Sequence, residues 1–234
     1  MSPADGGRTA DSTRTKLLEG ALRTLAEQGI AKASARAIAT TAGVNQALVF
    51  YHFGSVDELL SAACRHGAEQ RVARYRTRLA GIGSLTELLA FGREMHDEER
   101  AAGQVALLGQ LLAGAQTHDR LKAATSAGLD LWIVEIEKVL ERVLPGTPFG
   151  EFTDSGGLAR AVAASFVGLE LYEGVDPAGA GAALDALEQL GILVAALEGL
   201  GPVAHRAVRH HLRRAAGRGE GRGASPTAPR PSPR

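Results

Sequence analysis

The apolar positions near the start of the chain follow the period of an α-helix. The pattern predicts a helix that begins at Ser12 or Thr13, both good helix caps, and that stops at Gly29. Residues 1–11 lack the pattern, and we expect them to form a disordered arm. The predicted apolar face consists of residues three and four positions apart, namely Leu18, Ala21, Leu22, Leu25 and Ala26.

Two short helices are predicted between Ser34 and Phe53, with a tight turn at Gly43 between them. Glycine adopts positive φ readily, and a three-residue turn between helices needs such a residue. Asn45 is a favourable cap for the second helix, which we expect to run from Gln46 to about His52. Short helices joined in this way are typical of a helix-turn-helix. The predicted inward-facing residues are Ala35, Ile38, Ala39, Ala42, Val44, Val49 and Phe53.

A longer helix is expected next, because Ser55 and Glu58 match the S-x-x-E capping box. It should run to about Leu79 and end near Gly81, where a Gly-Ile-Gly sequence is interpreted as a domain boundary. The helix-turn-helix domain is therefore predicted over residues 12–80. Further helical patterns cover residues 85–99, 104–115, 118–144, 158–173, 180–197 and 202–216.

Composition supports an all-α fold. Aromatic residues make up only 4% of the sequence, and long stretches are rich in Ala, Leu, Glu and Arg, which favour helices over strands. We expect a second helical domain over residues 81–216 and a disordered tail over residues 217–234. The single cysteine, Cys64, excludes an internal disulfide. Because no leader and no run of eighteen apolar residues is evident, we expect a cytoplasmic protein without a membrane span.

Charge is unevenly distributed, although the formal net charge is zero. Residues 1–80 contain 11 Lys and Arg against 7 Asp and Glu, residues 81–201 contain 7 against 18, and residues 202–234 contain 8 against 1. A polyanion would be attracted to the first segment and repelled by the second, so contact with nucleic acid is expected at the N-terminal end. The basic tail is interpreted as a solubilising extension. The alternative is nonspecific attraction to DNA through Arg213, Arg214, Arg218 and Arg222.

The second short helix offers side chains that suit base edges in the DNA major groove. Gln46 can pair bidentately with adenine, and Asn45 can do the same or cap the helix. Ala47 and Leu48 present apolar surface to a thymine methyl group. Leu48 is expected to face outward; the alternative is that it packs on the first helix.

Phosphate contacts are expected from residues around this helix. Ser34, Tyr51 and His52 supply hydroxyl and ring N–H donors, and Arg36 can reach either a phosphate or a guanine edge. The alternative for Tyr51 and His52 is an aromatic plug between helices, a role that Phe50 and Phe53 fit better.

Taken in register, these features resemble the N-terminal domain of TetR-family regulators. The resemblance covers about residues 13–61 and is based on R-x-I-A at 36–39, A-G-V at 42–44, F-Y-H-F at 50–53 and S-x-x-E-L-L at 55–60. The chain departs from many members at Val56, where they have a lysine. By position, the resemblance implies DNA contacts at Ser34, Arg36, Asn45, Gln46, Ala47, Leu48, Tyr51 and His52.

The resemblance also implies a homodimer whose interface is a four-helix arrangement of the last two long helices of each subunit. Such a dimer would bind a palindromic operator in double-stranded DNA, with the reading helices about 34–36 Å apart. No cofactor is implied. Small and apolar residues at helical spacing support the interface, with packing inside one subunit as the alternative: Ala161, Ala164, Ser165 and Gly168, then Leu184, Leu187, Gly191 and Val194.

Members of this family typically release DNA when a small molecule binds the C-terminal bundle, which makes a ligand-controlled repressor the predicted function. The alternative is a DNA-binding regulator controlled by a protein partner, without a small-molecule ligand. The acidic middle segment favours a neutral or cationic ligand over an anion. Candidate ligand-binding residues, which also fit ordinary core stripes, are Phe91, Met95, His96, His118, Trp132, Phe166 and Tyr172.

The sequence contains no motif of an enzyme or a metal site. The segment His96-Asp97-Glu98-Glu99 suggests a carboxylate-bridged metal bundle, but such bundles require Glu-x-x-His pairs. No glutamate lies three positions before any of the seven histidines. H-E-x-x-H, G-x-S-x-G, a Walker loop and a zinc-binding cysteine set are also absent from the sequence. We therefore expect no catalytic residue and no bound metal.

Overall fold

The computed structural model describes the backbone of residues 3–220 and the side chains of residues 11–214. Over these residues the chain forms ten α-helices and no strand, as the all-α prediction requires. Short 3-10 helices follow α1 at Ile30–Lys32 and α7 at Leu144–Gly146. The α-helices are α1 (Pro3–Gln28), α2 (Ala35–Ala42), α3 (Ala47–Phe53), α4 (Val56–Gly81), α5 (Leu85–Ala101), α6 (Gln104–Ala115), α7 (Asp119–Val143), α8 (Ser155–Glu173), α9 (Pro177–Glu198) and α10 (Pro202–Glu220).

The N-terminal helices α1, α2 and α3 pack around one apolar core that the start of α4 completes. Helices α1 and α2 cross closely, since a Cβ atom at Gly20 would lie 2.7 Å from the Cβ of Ala42. Thr24 is fully buried at this crossing and donates to the carbonyl of Gly20. The fully buried apolar residues of this core are Leu17, Ala21, Leu25, Ile38, Val49, Leu59 and Ala63.

Local capping follows the sequence prediction in most respects. The Ser34 hydroxyl accepts the Ala37 N–H at the start of α2, and Gly43 ends that helix with φ 66°. The Ser55 hydroxyl accepts the Glu58 N–H at 3.1 Å, which confirms the predicted start of α4. The Glu58 carboxylate does not complete a capping box; it accepts a hydrogen bond from Arg120 of α7 at 2.6 Å.

The C-terminal helices form a bundle built on the contact between α4 and α7. Helix α8 packs on α7, and α9 packs on both α5 and α8. Helix α6 connects this bundle to the N-terminal core, because the Gln110 side chain accepts the Ile30 N–H at 3.3 Å. Gly114 of α6 lies against Ile30 with no room for a side chain.

Two predictions about the first helix are corrected. Helix α1 begins at Pro3, so residues 3–11 are helical rather than a disordered arm. Proline suits the first turn of a helix, and a glycine inside a helix costs only about 1 kcal/mol. Ala26, predicted to face inward, is exposed, and Leu17 is buried in α1.

At the other end, α10 continues to Glu220, past the predicted start of the tail at residue 217. The predicted disorder of residues 221–234, including Arg222, lies outside the described residues. Arg213 pairs with Glu151 in the segment between α7 and α8, so this arginine has an acidic partner within the chain.

Helix α9 is long and apolar enough to span a membrane by length and composition, although charged residues interrupt any run of eighteen apolar residues in it. Pro177–Glu198 contains an 18-residue window of mean hydropathy 1.5, of which only 17% is buried within the subunit. Its charged residues Asp185 and Glu188 both pair with Arg93 of α5, an arrangement that suits a helix in water. A large exposed apolar surface on such a helix indicates a site of protein or membrane contact.

Candidate functional site

The helix-turn-helix presents one exposed polar surface formed by the start of α2, the turn and the start of α3. Ser34, Arg36, Asn45, Gln46 and Ala47 are all exposed there. Tyr51 follows one turn later in α3 with 79% of its surface exposed, which is unusual for a large aromatic side chain. These residues share a surface because the buried residues Ile38 and Val49 hold α2 and α3 together from the opposite side.

Asn45 and Gln46 differ in what their side chains bind. The Asn45 side-chain oxygen accepts the Ala47 N–H at 2.8 Å, so Asn45 caps the start of α3. Gln46 already has helical backbone angles, with φ −55° and ψ −33°, and its side chain makes no capping bond. Its exposed amide therefore offers the donor and acceptor pair that adenine recognition requires.

Two predictions for α3 are corrected. Leu48 is partly buried and packs against the N-terminal core, which is the arrangement considered as the alternative to an outward position. Phe50 is 50% exposed and does not fill the plug position between helices. A seven-residue helix with Val49 fully buried cannot turn both neighbours of that residue inward, because successive residues are separated by about 100°.

The aromatic residues in the last turn of α3 form a connected group. The rings of Tyr51 and His52 meet edge to face with their centroids 5.0 Å apart, and His52 is half-buried. The guanidinium of Arg14 in α1 lies over the ring of Phe53, 5.2 Å from its centroid. Val56, at the position where many family members have lysine, is half-buried against the N-terminal core.

Sequence reasoning missed Thr40 as a surface residue of α2. It is exposed one turn after Arg36, and its hydroxyl donates to the Arg36 carbonyl at 2.8 Å. The four-residue spacing from Arg36 was the signal in the sequence, since residues i and i+4 share a helix face.

Comparison with known proteins identifies this N-terminal domain. Residues 17–63 match the family model described as bacterial regulatory proteins, tetR family. The N-terminal domain belongs to the TetR family. The match contains α2, α3, the turn between them and most of the buried residues around them.

Relatives of this TetR-family chain are also described as transcriptional regulators. An uncharacterised HTH-type regulator from Mycobacterium bovis is 26% identical over 136 residues, which cover 58% of this chain and 69% of the relative. An HTH-type transcriptional repressor from Mycobacterium tuberculosis is 35% identical over 77 residues, covering 33% of this chain and 41% of the relative. The chain is therefore a DNA-binding transcriptional regulator of a family whose members are not enzymes.

The fold extends this similarity beyond the N-terminal domain. A crystal structure assigned to the TetR family, from Rhodococcus sp., superimposes with a TM-score of 0.66 at 21% identity. The superposition covers 79% of this chain and 98% of the Rhodococcus protein. The C-terminal bundle thus has the fold of a TetR-family regulatory domain.

The structure brings most of the predicted ligand-binding residues together in this bundle. Phe91, Met95, Trp132 and Phe166 belong to one apolar cluster around Tyr75 of α4. The ring centroid of Tyr75 lies 5.9 Å from that of Phe91 and 5.7 Å from that of Trp132. His96 is fully buried beside Phe166, with ring centroids 6.1 Å apart.

Two of the predicted ligand-binding residues lie elsewhere. His118 is exposed at the start of α7, where its ring contacts the hydroxyl of Thr117. Tyr172 is 46% exposed, and its hydroxyl donates to Asp176 at the end of α8. Both residues lie at helix ends, where their polar atoms make local hydrogen bonds instead of joining the aromatic cluster.

Sequence reasoning missed a group of buried polar residues beside the aromatic cluster. We define the buried acidic cluster as Glu99, Glu170 and Glu173 with the adjacent His96 and Arg71. Glu99 accepts a hydrogen bond from the Tyr75 hydroxyl at 3.0 Å and lies 3.7 Å from Arg71. Glu173 pairs with Arg100 at 3.0 Å, and its second oxygen lies 3.2 Å from His96 Nε2.

The spacing of two of these glutamates along their helices indicates that they face inward. Glu99 follows Met95 by four positions, and Glu170 follows Phe166 by four, so both glutamates lie on the apolar faces of their helices. Glu99 entered the sequence prediction only as part of a possible metal-binding segment, and Glu170 had no predicted role. The inward position of both glutamates depends on how α5 and α8 pack in the bundle, which the period of a single helix does not specify.

Glu170 has the most unusual environment in the cluster. Only 4% of its surface is exposed, and its carboxylate has no hydrogen-bond or ion-pair partner among the described residues. Burial, together with the negative charges of Glu99 and Glu173, raises the pKa of Glu170 to about 7, and Arg71 offsets this only in part. Near neutral pH, this carboxyl group is therefore partly protonated.

Among the described residues, no group of three or more His, Cys, Asp or Glu side chains is arranged to hold a metal ion. Glu99, Glu170, Glu173 and His96 are therefore not arranged as the ligands of one metal ion. Their arrangement differs from that of a carboxylate-bridged metal bundle.

Proposed function

We propose that the protein is a homodimeric repressor that binds a palindromic operator and is released by a small-molecule effector in the C-terminal bundle. The observation that carries this proposal is the exposed polar surface of α2, the turn and α3. It combines base-reading amides with phosphate-binding hydroxyls on a TetR-family helix-turn-helix. Acting on chromosomal DNA, such a bacterial regulator works in the cytoplasm.

Sequence preference in this proposal comes from the start of α3. Gln46 reads adenine, Ala47 contacts a thymine methyl group, and Arg36 of α2 binds a guanine edge or a phosphate. Asn45 caps the helix and retains only its side-chain NH₂ for a base. Leu48 contributes its exposed part to the same thymine surface.

Position on the DNA comes from phosphate contacts around α3. The Ser34 oxygen accepts the Ala37 N–H, which leaves the hydroxyl hydrogen available to a phosphate. Tyr51 is 79% exposed on α3, which leaves its hydroxyl accessible to a phosphate, and its ring meets the ring of His52 edge to face. These contacts would act on every sequence alike, because all phosphates are chemically the same.

The dimer is proposed from the exposed faces of α8 and α9. The four small residues predicted for α8, Ala161, Ala164, Ser165 and Gly168, are all exposed. On α9, Leu184 and Gly191 instead pack inside the subunit, so only part of the predicted stripe faces outward. The exposed apolar residues of α9 are Leu187, Leu190, Ile192 and Leu193.

A second subunit accounts for this surface better than a membrane does. A stable dimer interface buries about 800 Å² on each partner and has an apolar centre, which two long helices can supply. The small residues of α8 allow the partner helices to approach closely.

The effector is proposed to enter the C-terminal bundle near the aromatic and acidic clusters. Control by a protein partner remains the second candidate function, because the exposed face of α9 suits a partner of another kind equally well. Thermal-shift measurements with fractions of a cell extract distinguish the two functions. Stabilisation by a small-molecule fraction supports the effector, and stabilisation only by protein fractions supports the partner.

Selection of binding sites from a pool of random DNA tests the DNA-binding proposal. We expect enrichment of an inverted repeat whose half-sites are one helical turn apart, about 34–36 Å. Enrichment of a site without two-fold symmetry, or of no site, would contradict the palindromic operator.

A matched pair of variants tests the dimer. Leu193→Glu places a charge on the exposed face of α9, and Val203→Glu places the same charge on an exposed residue of α10. Sedimentation should find the Leu193 variant monomeric and the Val203 variant dimeric, with operator binding lost only in the first. A dimeric Leu193 variant with normal operator binding would refute the proposed interface.

A further inference from the structure

We propose that the buried acidic cluster is the effector site and that it binds an organic ammonium ion with an apolar or aromatic body. This inference rests on the proposed function, since it names the chemical class of the effector for that bundle. It depends on the charge balance of the cluster, on polar atoms that lack partners and on the aromatic side chains beside them.

With Glu170 ionised and His96 neutral, the charge balance of the cluster leaves one negative charge without a counterpart. Its three carboxylates, Glu99, Glu170 and Glu173, are accompanied by the guanidinium groups of Arg71 and Arg100. Arg100 is 62% exposed at the edge, so within the buried part the excess of negative charge is larger. A monovalent cation restores neutrality, whereas an anionic effector would add to the repulsion.

Comparison with another buried glutamate of the same bundle shows how unusual Glu170 is. Glu135 of α7 is also buried, but it binds Arg76 at 3.2 Å and Lys138 at 3.0 Å. Glu170 is buried to a greater extent and lacks any such partner in the described part of the chain. Buried charges are normally paired, because transfer of an unpaired charge from water is costly. The cluster therefore has an unused position for a cation.

Unpartnered atoms in the same cluster indicate which kind of cation fits. His96 is 1% exposed and its Nδ1 has no hydrogen-bond partner. Its Nε2 lies 3.2 Å from Glu173 Oε2, but that oxygen is also without a hydrogen bond. With the ring hydrogen on Nε2, facing the carboxylate, Nδ1 becomes an acceptor. His96 Nδ1, on the other side of the ring from Glu173, is then an acceptor without a donor, and a ligand with N–H groups can supply one.

The cluster also contains one unpartnered donor, the Nε of Arg71. An oxygen atom on the ligand, or a water molecule that enters with it, can accept from this group. The N–H donors of the ligand and this acceptor together would leave no buried polar atom of the cluster unpaired.

Aromatic side chains beside the carboxylates supply a surface for the organic part of the ligand. Phe166 precedes Glu170 by one turn of α8 and contacts His96, while Tyr75 links Glu99 to Trp132. Aromatic faces attract cations and exclude water from them. Phe166 and Trp132 are only half-buried, so these two side chains are the ones that can move to admit a ligand.

Ligands matched in shape and different in charge test the inference on the full-length protein. The panel pairs phenethylamine with 2-phenylethanol and phenylacetate, and hexylamine with hexanol and hexanoate. Calorimetry at pH 8 should detect binding of at least one amine, with affinity at least tenfold above that of its alcohol and its acid. If no amine binds more tightly than its matched alcohol, the inference is wrong.

Two glutamine variants locate the site. Glu170→Gln removes the unpaired carboxylate and retains its shape, while Glu141→Gln makes the same change at an exposed position of α7. Loss of one buried charged partner should weaken binding of the amine by about 30-fold or more in the Glu170 variant and leave the Glu141 variant unchanged. Circular dichroism establishes that both variants are folded. Equal affinities of a folded Glu170 variant and the wild type would contradict this site.

The pH dependence of amine binding provides an independent measurement. Glu170 faces Arg71 of α4, Glu99 of α5 and Glu173 of α8, with His96 and Arg100 of α5 beside Glu173. Because the pKa of Glu170 is about 7, its ionised fraction rises about tenfold between pH 6 and pH 8. Amine affinity should rise by about the same factor in the wild type and by less in the Glu170 variant. An affinity that is flat or falls over this range refutes the role of Glu170.

Failure of this inference can be distinguished from failure of the proposed function. Binding of a palindromic site without binding of any amine would overturn the ammonium site and leave the DNA-binding proposal intact. Amine binding that does not release DNA would support the site and contradict its role as the effector site of a repressor.

Discussion

Replacing Glu170 by glutamine removes a buried charge while it preserves the size and shape of the side chain. In the wild type this carboxyl group has a pKa of about 7, raised from its ordinary value of 4.5 chiefly by burial. The folded protein therefore holds the proton more tightly than the unfolded chain does. Below pH 4.5 both states are protonated and the group has no effect. As pH rises towards 7 the unfolded state ionises first, so the stability of the wild type falls.

The size of this effect follows from the two pKa values. One pKa unit corresponds to about 1.4 kcal/mol. The rise in the pKa of Glu170 from 4.5 to about 7 therefore lowers the free energy of unfolding of the wild type by about 3 kcal/mol once the pH exceeds 7. At pH 5 the same relation gives a destabilisation of the wild type of only about 1 kcal/mol. The Glu170→Gln variant should thus exceed the wild type in the free energy of unfolding by about 3 kcal/mol at pH 8 and about 1 kcal/mol at pH 5.

Urea denaturation at the two pH values measures this difference. Protein concentration is held constant, because dissociation of a dimer contributes to the apparent stability. Glu141→Gln, at an exposed position of α7, is the control and should match the wild type at both values. A Glu170 variant that is equally or less stable than the wild type at pH 8 would refute the assignment of an unpaired, buried carboxylate.

Four further predictions concern the N-terminal domain. Gln46→Ala should lower operator affinity by about 1–3 kcal/mol and relax the preference at one base pair, measured by titration of single-base operator variants; an unchanged preference would exclude Gln46 as a reader. Tyr51→Phe should weaken binding to operator and unrelated DNA alike, and a loss confined to the operator would contradict a phosphate contact. Gly20→Ala should destabilise the fold by about 1–3 kcal/mol in thermal unfolding, because the new Cβ would approach Ala42 to 2.7 Å. Ser55→Ala should cost about 0.5–2 kcal/mol through loss of the α4 cap, and restoration by Ser55→Asp is the control.

Helix positions were predictable because they depend on local signals. The predicted helix at 104–115 coincides with α6, and the ends predicted for α5, α7, α8 and α9 lie within about three residues of those observed. Caps and glycines explain this accuracy, since Ser34, Gly43 and Ser55 act through bonds and angles within a few residues. The TetR-family resemblance followed from the same region.

Side-chain directions were less predictable, because they depend on which helix packs opposite. Leu48 faces the core where an outward position was expected, and Phe50 is exposed where a plug was considered. Both residues lie in a helix of only seven residues, in which a small rotation changes the buried side.

The sequence alone determined the all-α fold, the helix-turn-helix and the segment that would meet DNA. Those features arise from hydrophobic period, capping and charge, which act over short distances or over whole segments. Only the tertiary structure revealed that Glu99, Glu170 and Glu173, from two separate helices, share one buried region beside Tyr75. The same glutamates would be ordinary solvated charges on isolated helices. Packing of α5 and α8 into the bundle removes them from water, and this loss of hydration gives Glu170 its raised pKa and its need for a cation.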